Sequence, residues 1–195
     1  RRFLTDAQTH WLVALDGMGG IGKTALARAV CEALIYEGCF ERVLWITVQQ
    51  RLFAWGRAHS LDAPALSYAQ LLEELARRLD LASTTGQSAD RREAPVRAAL
   101  GAHPTLVVVD NLETAPDVQS LVMGLHRLAR PTRILLTSRY AVGAFEPVTS
   151  LTTRPLTLHD AMDFIRYEGQ DRNIEALHHA SEEDLARVAR ITDGN

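Results

Sequence analysis

The sequence predicts an α/β fold, and three observations carry that reading. Short apolar runs alternate with helix-patterned segments as far as residue 154. A glycine-rich stretch separates the first run from the first helix. From Leu158 onward the pattern is helical only. Such alternation points to a parallel sheet covered on both faces. The helical tail reads as the start of a second, small domain, truncated at the chain end. The expected division is residues 1–154 and 155–195, and a length of 195 residues suits one α/β domain plus a fragment.

Each element has its own signal. Trp11 to Asp16 is a short apolar run ending at glycines, a buried strand. Thr24 to about Glu37 is helical, with Ala25, Leu26, Ala29, Val30 and Leu34 at helical spacing and Gly38 as the stop. Val43 to Val48 is a β-branched second strand. Residues 49–65, with Gly56 and Pro64, read as a loop. Tyr68, Leu71, Leu72, Leu75 and Leu79 mark an amphipathic helix. Residues 82–90 form a polar connection, and a short helix follows near 91–101. Thr105 to Asp110 is the clearest strand. A helix spans roughly 117–129, Thr132 to Ser138 is a fourth strand, and Val148 to Thr153 a weaker fifth. Helices are expected near 158–168, 173–179 and 181–192, the last with Ser181 and Asp184 as capping-box residues.

Composition narrows the function classes. Hydrophobic residues make up 47% and charged residues 23%, enough apolar surface for a core and too much for a disordered chain. The net charge of -3 advertises no basic surface, and the pairs Arg77-Arg78 and Arg91-Arg92 are flanked by acids, so direct nucleic-acid binding is not expected. The longest apolar runs fall well short of the roughly 18 residues of a membrane span. Cys31 and Cys39 fit neither a disulfide framework nor a metal site, and Cys31 reads as a small core residue. A reducing, cytoplasmic setting follows. No signal peptide is visible, and the chain begins at Arg1 without Met, so its natural start is expected to lie upstream. His103, His126, His159, His178 and His179 show no zinc-ligand spacing.

Gly17-Met18-Gly19-Gly20-Ile21-Gly22-Lys23-Thr24 fits G-x-x-x-x-G-K-[ST] in full, with a strand running in and a helix running out. Glycines let successive backbone N–H groups face a phosphate without a Cβ in the way. The helix start adds the positive end of its dipole. The expected cradle is Gly17, Gly19, Gly20, Ile21, Gly22, Lys23, Thr24 and Ala25. Lys23, the single lysine of the chain, can reach the β- and γ-phosphates as a compact charge. The Thr24 hydroxyl can ligate magnesium. The predicted fold is therefore a P-loop NTPase three-layer sandwich with a five-stranded parallel sheet, and the predicted cofactors are ATP or ADP with Mg2+.

Ligands in open α/β sheets sit beyond the carboxyl ends of the strands. Asp110 ends an apolar strand, the Walker B pattern, where an aspartate holds magnesium directly or through water. Arg139 follows a strand end, where a guanidinium can contact a γ-phosphate. Asn111 occupies the position where many such ATPases place a water-activating acid; an amide orients water but takes no proton. Glu113 either reaches the site or faces solvent. Slow hydrolysis is the expectation. The catalytic set is Lys23, Asp110, Asn111, Glu113 and Arg139, and the metal set Thr24 and Asp110.

These residues resemble a family. Gly17 through Ala27 looks like the P-loop of STAND ATPases of the NB-ARC type, which include plant disease-resistance proteins, apoptotic protease-activating factors and bacterial signalling proteins. Val43-Leu44-Trp45-Ile46 resembles their second strand. Leu106 to Glu113 resembles their Walker B segment in an Asp-Asn form. Ile134 to Arg139 resembles their sensor strand ending in Thr-Ser-Arg. Residues 155–195 look like the start of their helical domain. The resemblance implies an ADP/ATP switch: ADP holds an inactive state, and exchange for ATP permits oligomer assembly. It places the sensor strand between the P-loop strand and the Walker B strand. It implies phosphate and magnesium binding by Lys23 and Thr24, magnesium binding by Asp110 and γ-phosphate contact by Arg139. A Gly-x-Pro motif would continue from Gly194-Asn195, and an upstream segment that helps hold adenine is not recognisable. Effector and sensor domains would lie outside this chain.

Two functions of different class follow. One is a regulatory ATPase switch; the other is a scaffold that holds nucleotide and barely turns it over. A metabolic kinase would need an acceptor site and a lid. The sequence has no Asn-Lys-x-Asp of a GTPase and no LSGGQ-like transporter signature.

Overall fold

The computed structural model describes residues 1–6, 10–48, 51–54, 57–60, 66–81, 86–145 and 148–192. Gly56, Pro64, the 82–85 part of the polar connection and Gly194-Asn195 lie outside the described residues. The chain divides into two compact units, Arg1–Gly17 with Lys23–Thr152, and Met18–Gly22 with Thr153–Asn195. Among the described residues the strands are β1 (Leu12–Asp16), β2 (Arg42–Thr47), β3 (Arg51–Ala54), β4 (Arg57–Ser60), β5 (Thr105–Asp110), β6 (Arg133–Ser138) and β7 (Val148–Thr152). The helices are α1 (Arg2–Thr5), α2 (Lys23–Tyr36), α3 (Tyr68–Arg78), α4 (Ala89–Gly101), α5 (Val118–Leu128), α6 (Leu158–Asp171), α7 (Glu175–His178) and α8 (Glu182–Ile191).

Five strands form one sheet in the order β2-β5-β6-β1-β7, every neighbouring pair parallel. The predicted five-stranded parallel sheet is present, with β6 between β1 and β5 as the resemblance implied. Parallel strands buried on both faces need apolar residues at successive positions, and β1, β5 and β6 are buried along their whole length. Alternate side chains then supply two cores. Leu12, Ala14, Val107, Val109, Ile134 and Leu136 pack with Leu71 and Leu75 of α3, Val96 and Leu100 of α4, and Leu121 and Leu125 of α5. Val13, Leu15, Leu106, Val108 and Leu135 pack on the other face with Ala27, Cys31 and Leu34 of α2 and with Leu4 of α1. Sheet and two helical layers make the predicted sandwich.

One helix face is defined and one local expectation is corrected. The buried stripe of α2 is Lys23, Ala27, Cys31 and Leu34, while Leu26 is 45% exposed. Cys31 is a small buried core residue, as the sequence predicts. The segment read as a loop contains an antiparallel pair, β3 with β4, Leu52 opposite His59 and Phe53 opposite Ala58. Four-residue strands of mixed polarity carry too short an alternation to stand out.

Capping fixes the helix starts. Ser67 and Gln70 form a capping box on α3, the Gln70 side chain taking the Ser67 N–H at 2.8 Å. In the second unit Thr157 caps α6 and Ser181 caps α8, accepting from the Asp160 and Asp184 N–H groups at 3.2 Å each. Leu185, Ala186 and Ala189 are the buried face of α8, and Ala161 and Gly169 are the buried residues of α6.

Gly124 of α5 lies against the Tyr68 ring, where an added Cβ would sit 2.3 Å from ring carbons. The ring cannot retreat freely. Its hydroxyl donates to Glu93 at 2.9 Å, Arg127 pairs with Glu93 at 3.0 Å, and the Arg127 guanidinium lies 5.0 Å from the ring centre. A glycine-to-alanine change inside a helix ordinarily stabilises by about 0.5–1 kcal/mol. Here Gly124→Ala is expected to destabilise by about 1–3 kcal/mol through overpacking. Urea denaturation measures it, and an unchanged or raised midpoint would contradict the packing described.

Candidate nucleotide site

The carboxyl ends of β1, β5 and β6 bring charged and hydroxyl side chains together from three distant parts of the chain. Lys23, at the start of α2, is 8% exposed, and its Nζ donates to the Gly17 carbonyl at 2.8 Å. Burial lowers its pKa; the Glu113 carboxylate is the chief opposing influence, Arg139 adds to the lowering, and Asp110 and Asp16 oppose it. An ammonium so placed gains from an added anion. The first turn of α2 carries no acidic side chain, and Ala25 within it is exposed. No acid there offsets the positive end of the helix dipole.

The loop between β1 and α2 adopts the backbone its glycines permit. Gly20 and Gly22 have φ of 85° and 89°, a region costly for any residue with a Cβ, and nothing lies within 4 Å of where a Gly22 Cβ would be. The Ile21 N–H faces the Met18 carbonyl at 3.4 Å. Gly19 and Ile21 are half-buried, Gly20 and Gly22 exposed.

Asp110 is 3% exposed. Its Oδ1 accepts from the Thr24 hydroxyl at 2.8 Å and from the Thr137 hydroxyl at 2.6 Å. The Thr24 proton is thereby committed to the aspartate, and its lone pairs remain for a cation. Among the described residues no three His, Cys, Asp or Glu side chains gather as a metal cluster. The donor set on offer is one hydroxyl and one carboxylate. That set fits magnesium, which keeps several waters and takes phosphate oxygens as further ligands; it does not fit an ion that needs an all-protein cage.

Asn111 has a left-handed backbone, φ 62° and ψ 49°, which turns the chain sharply after β5. Its N–H donates to Thr137 Oγ1 at 2.9 Å, and its Nδ2 lies 3.4 Å from Asp110 Oδ2. Glu113 sits in the following 3-10 turn, Leu112–Thr114, and its carboxylate meets Arg139 just past β6, with 3.0 Å to Nε and 3.1 Å to the backbone N–H. Thus Lys23, Thr24, Asp110, Asn111, Glu113 and Arg139 all lie at one end of the sheet.

Sequence reasoning passed over two members of this constellation. Thr137 bridges Asp110 and Asn111, and it stands two residues before Arg139 in the segment already singled out. Asp16 is 2% exposed, accepts from the Ser150 hydroxyl, and supplies negative charge near Lys23. Its signal was the one that picked out Asp110, a carboxylate closing an apolar strand.

A glycine-rich loop between strand and helix, together with a hydroxyl-anchored aspartate at a strand end of a parallel sheet, defines a P-loop NTPase. Comparison with known proteins narrows the class. Residues 2–173 match the NB-ARC domain model, and the chain belongs to that family, a nucleotide-binding module of STAND ATPases. Two probable disease resistance proteins of Arabidopsis thaliana are similar. At1g59620 is 26% identical over 131 residues, 66% of this chain and 13% of that protein; RXW24L is 36% identical over 56 residues, 27% and 6%. Among solved structures, a STAND protein with a tetratricopeptide repeat sensor from Pyrococcus horikoshii superposes with a TM-score of 0.66 at 15% identity, covering 100% of this chain and 27% of that one. A Drosophila ORC structure bound to DNA gives 0.58 at 16% identity, covering 89% and 45%. These two share the fold. The chain spans only a small part of the plant relatives. No described helix is long and apolar enough to cross a membrane.

Proposed function

We propose that this chain is the ATP/ADP-binding switch module of a larger cytoplasmic signalling protein, hydrolysing ATP slowly with magnesium and controlling activation and self-association. Residues 1–154 would be the nucleotide-binding domain and 155–195 the beginning of a helical domain, with effector and sensor segments elsewhere in the protein. The observation that carries the reading is the shared Asp110 oxygen: it holds both the Thr24 and the Thr137 hydroxyl in a chain of NB-ARC type. Neither nucleic acid nor membrane is a proposed partner.

The residues divide the work. The loop N–H groups from Gly17 to Ala25 bind the α- and β-phosphates, and Lys23 leaves the Gly17 carbonyl for the β- and γ-phosphates. Thr24 and Asp110 would hold the ion, which would supply neutralisation of phosphate charge there. Thr137 keeps Asp110 in one rotamer. Arg139 meets the third phosphate.

One observation favours the alternative, a nucleotide scaffold with negligible hydrolysis. The side chain beside Asp110 is an amide, and the Glu113 carboxylate spends both oxygens on Arg139. Neither Asn111 nor the Arg139-paired Glu113 is poised to take a proton from water. Calorimetry with ATP and ADP, with and without magnesium, tests binding, and multiple-turnover phosphate release separates switch from scaffold. Several turnovers per chain support the first; tight binding with no release beyond one turnover supports the second. Failure of both nucleotides to bind would overturn the proposal.

A further inference from the structure

Glu113 and Arg139 form an asymmetric pair. The acid is fixed and the base is movable. The turn that carries Glu113 is held by the Thr114 N–H on the Asn111 carbonyl at 3.1 Å, the Thr114 hydroxyl on the same carbonyl at 2.8 Å, and the Ala115 N–H on the Leu112 carbonyl at 3.0 Å. Leu112 within it is fully buried. One carboxylate oxygen of Glu113 accepts the Arg139 backbone N–H, which cannot shift without the end of β6. The Glu113 side chain is 7% exposed and that of Arg139 58%. The guanidinium alone has room to leave.

We propose that Glu113 is a positioning residue that parks Arg139, and that a third phosphate competes with it for the guanidinium, so that this pair sets the preference for triphosphate over diphosphate. The inference rests on the nucleotide-site reading above. A diphosphate leaves the pair intact. A triphosphate offers Arg139 a planar match of higher charge, and the transfer leaves a mostly buried carboxylate close to a polyanion. The pair therefore opposes the gain made at the γ-phosphate. Glu113 is also the leading carboxylate influence on Lys23, which places its charge within the phosphate-binding region.

The experiment is calorimetric titration, in magnesium, of ADP and a non-hydrolysable ATP analogue into the wild-type chain, Glu113→Gln, Arg139→Ala and the double variant. Glutamine keeps the size and the carbonyl acceptor but removes the charge. In Glu113→Gln the ratio of the ADP to the analogue dissociation constant should rise roughly two- to fivefold, the scale of a partly exposed ion pair. In the Arg139→Ala background the same change should raise the ratio clearly less, since only the direct repulsion between Glu113 and the phosphates is then relieved. An unmoved ratio in Glu113→Gln, or an equal rise without Arg139, would overturn the inference. So would lost turnover at an unmoved ratio, which would make Glu113 a base. Equal weakening of both ligands would reduce it to a structural residue and overturn the inference too. A wild-type chain that binds neither ligand refutes the nucleotide site itself, whereas one that binds both with an insensitive ratio refutes this inference alone.

Discussion

Lys23→Ala is expected to lower ATP affinity by roughly 10- to 100-fold, the scale of a lost charge-assisted hydrogen bond at about 1.5–3 kcal/mol. Two effects act in the same direction. The ammonium that would reach the β- and γ-phosphates is gone, and the carboxylates of Asp16, Asp110 and Glu113 lose one nearby positive charge. Their field then repels a polyphosphate. The loop also loses its tie from Nζ to the Gly17 carbonyl. Calorimetry at matched magnesium, with far-UV circular dichroism to show the fold intact, measures the change. ATP binding equal to that of the wild type would remove the phosphate cradle from the account.

The second large effect falls on magnesium. Asp110→Ala removes the acceptor shared by Thr24 and Thr137, so the Thr24 hydroxyl is no longer oriented with its lone pairs outward. The expected result is a loss of about 10- to 100-fold in the magnesium-dependent part of ATP affinity. Affinity measured in chelator should fall far less. Asp110→Asn keeps the volume and separates metal loss from loss of packing, because two buried hydroxyls lose their partner in the alanine variant. An equal fall with and without magnesium would argue that Asp110 acts on the fold and not on the ion.

The parts of the fold legible in the sequence were those set by local pattern. Thr105–Asp110 was read residue for residue, since six successive buried positions leave no alternation to misjudge. The P-loop was legible because phosphate chemistry constrains residue type and spacing together. What escaped reading depends on which strands become neighbours. Asp16 lies opposite Ser138, and Val109 opposite Leu136, only because β6 inserts between β1 and β5. That insertion brings Thr137 onto Asp110, 27 residues away in sequence. No periodicity along the chain encodes such a meeting. The roles of Glu113 were open for the same reason: the turn set by the left-handed Asn111 backbone decides where its carboxylate points. The buried face of α2 was left open because helical spacing alone does not tell which stripe turns to the sheet.

Lys23 is the chain's single lysine, and the structure seats it among charged and backbone groups at the end of the sheet. Isotopic labelling of lysine alone would therefore illuminate one side chain in an otherwise silent spectrum. The resonances of that ε-amine would report its tether to Gly17 directly, without a probe being attached and without any residue of the site being altered.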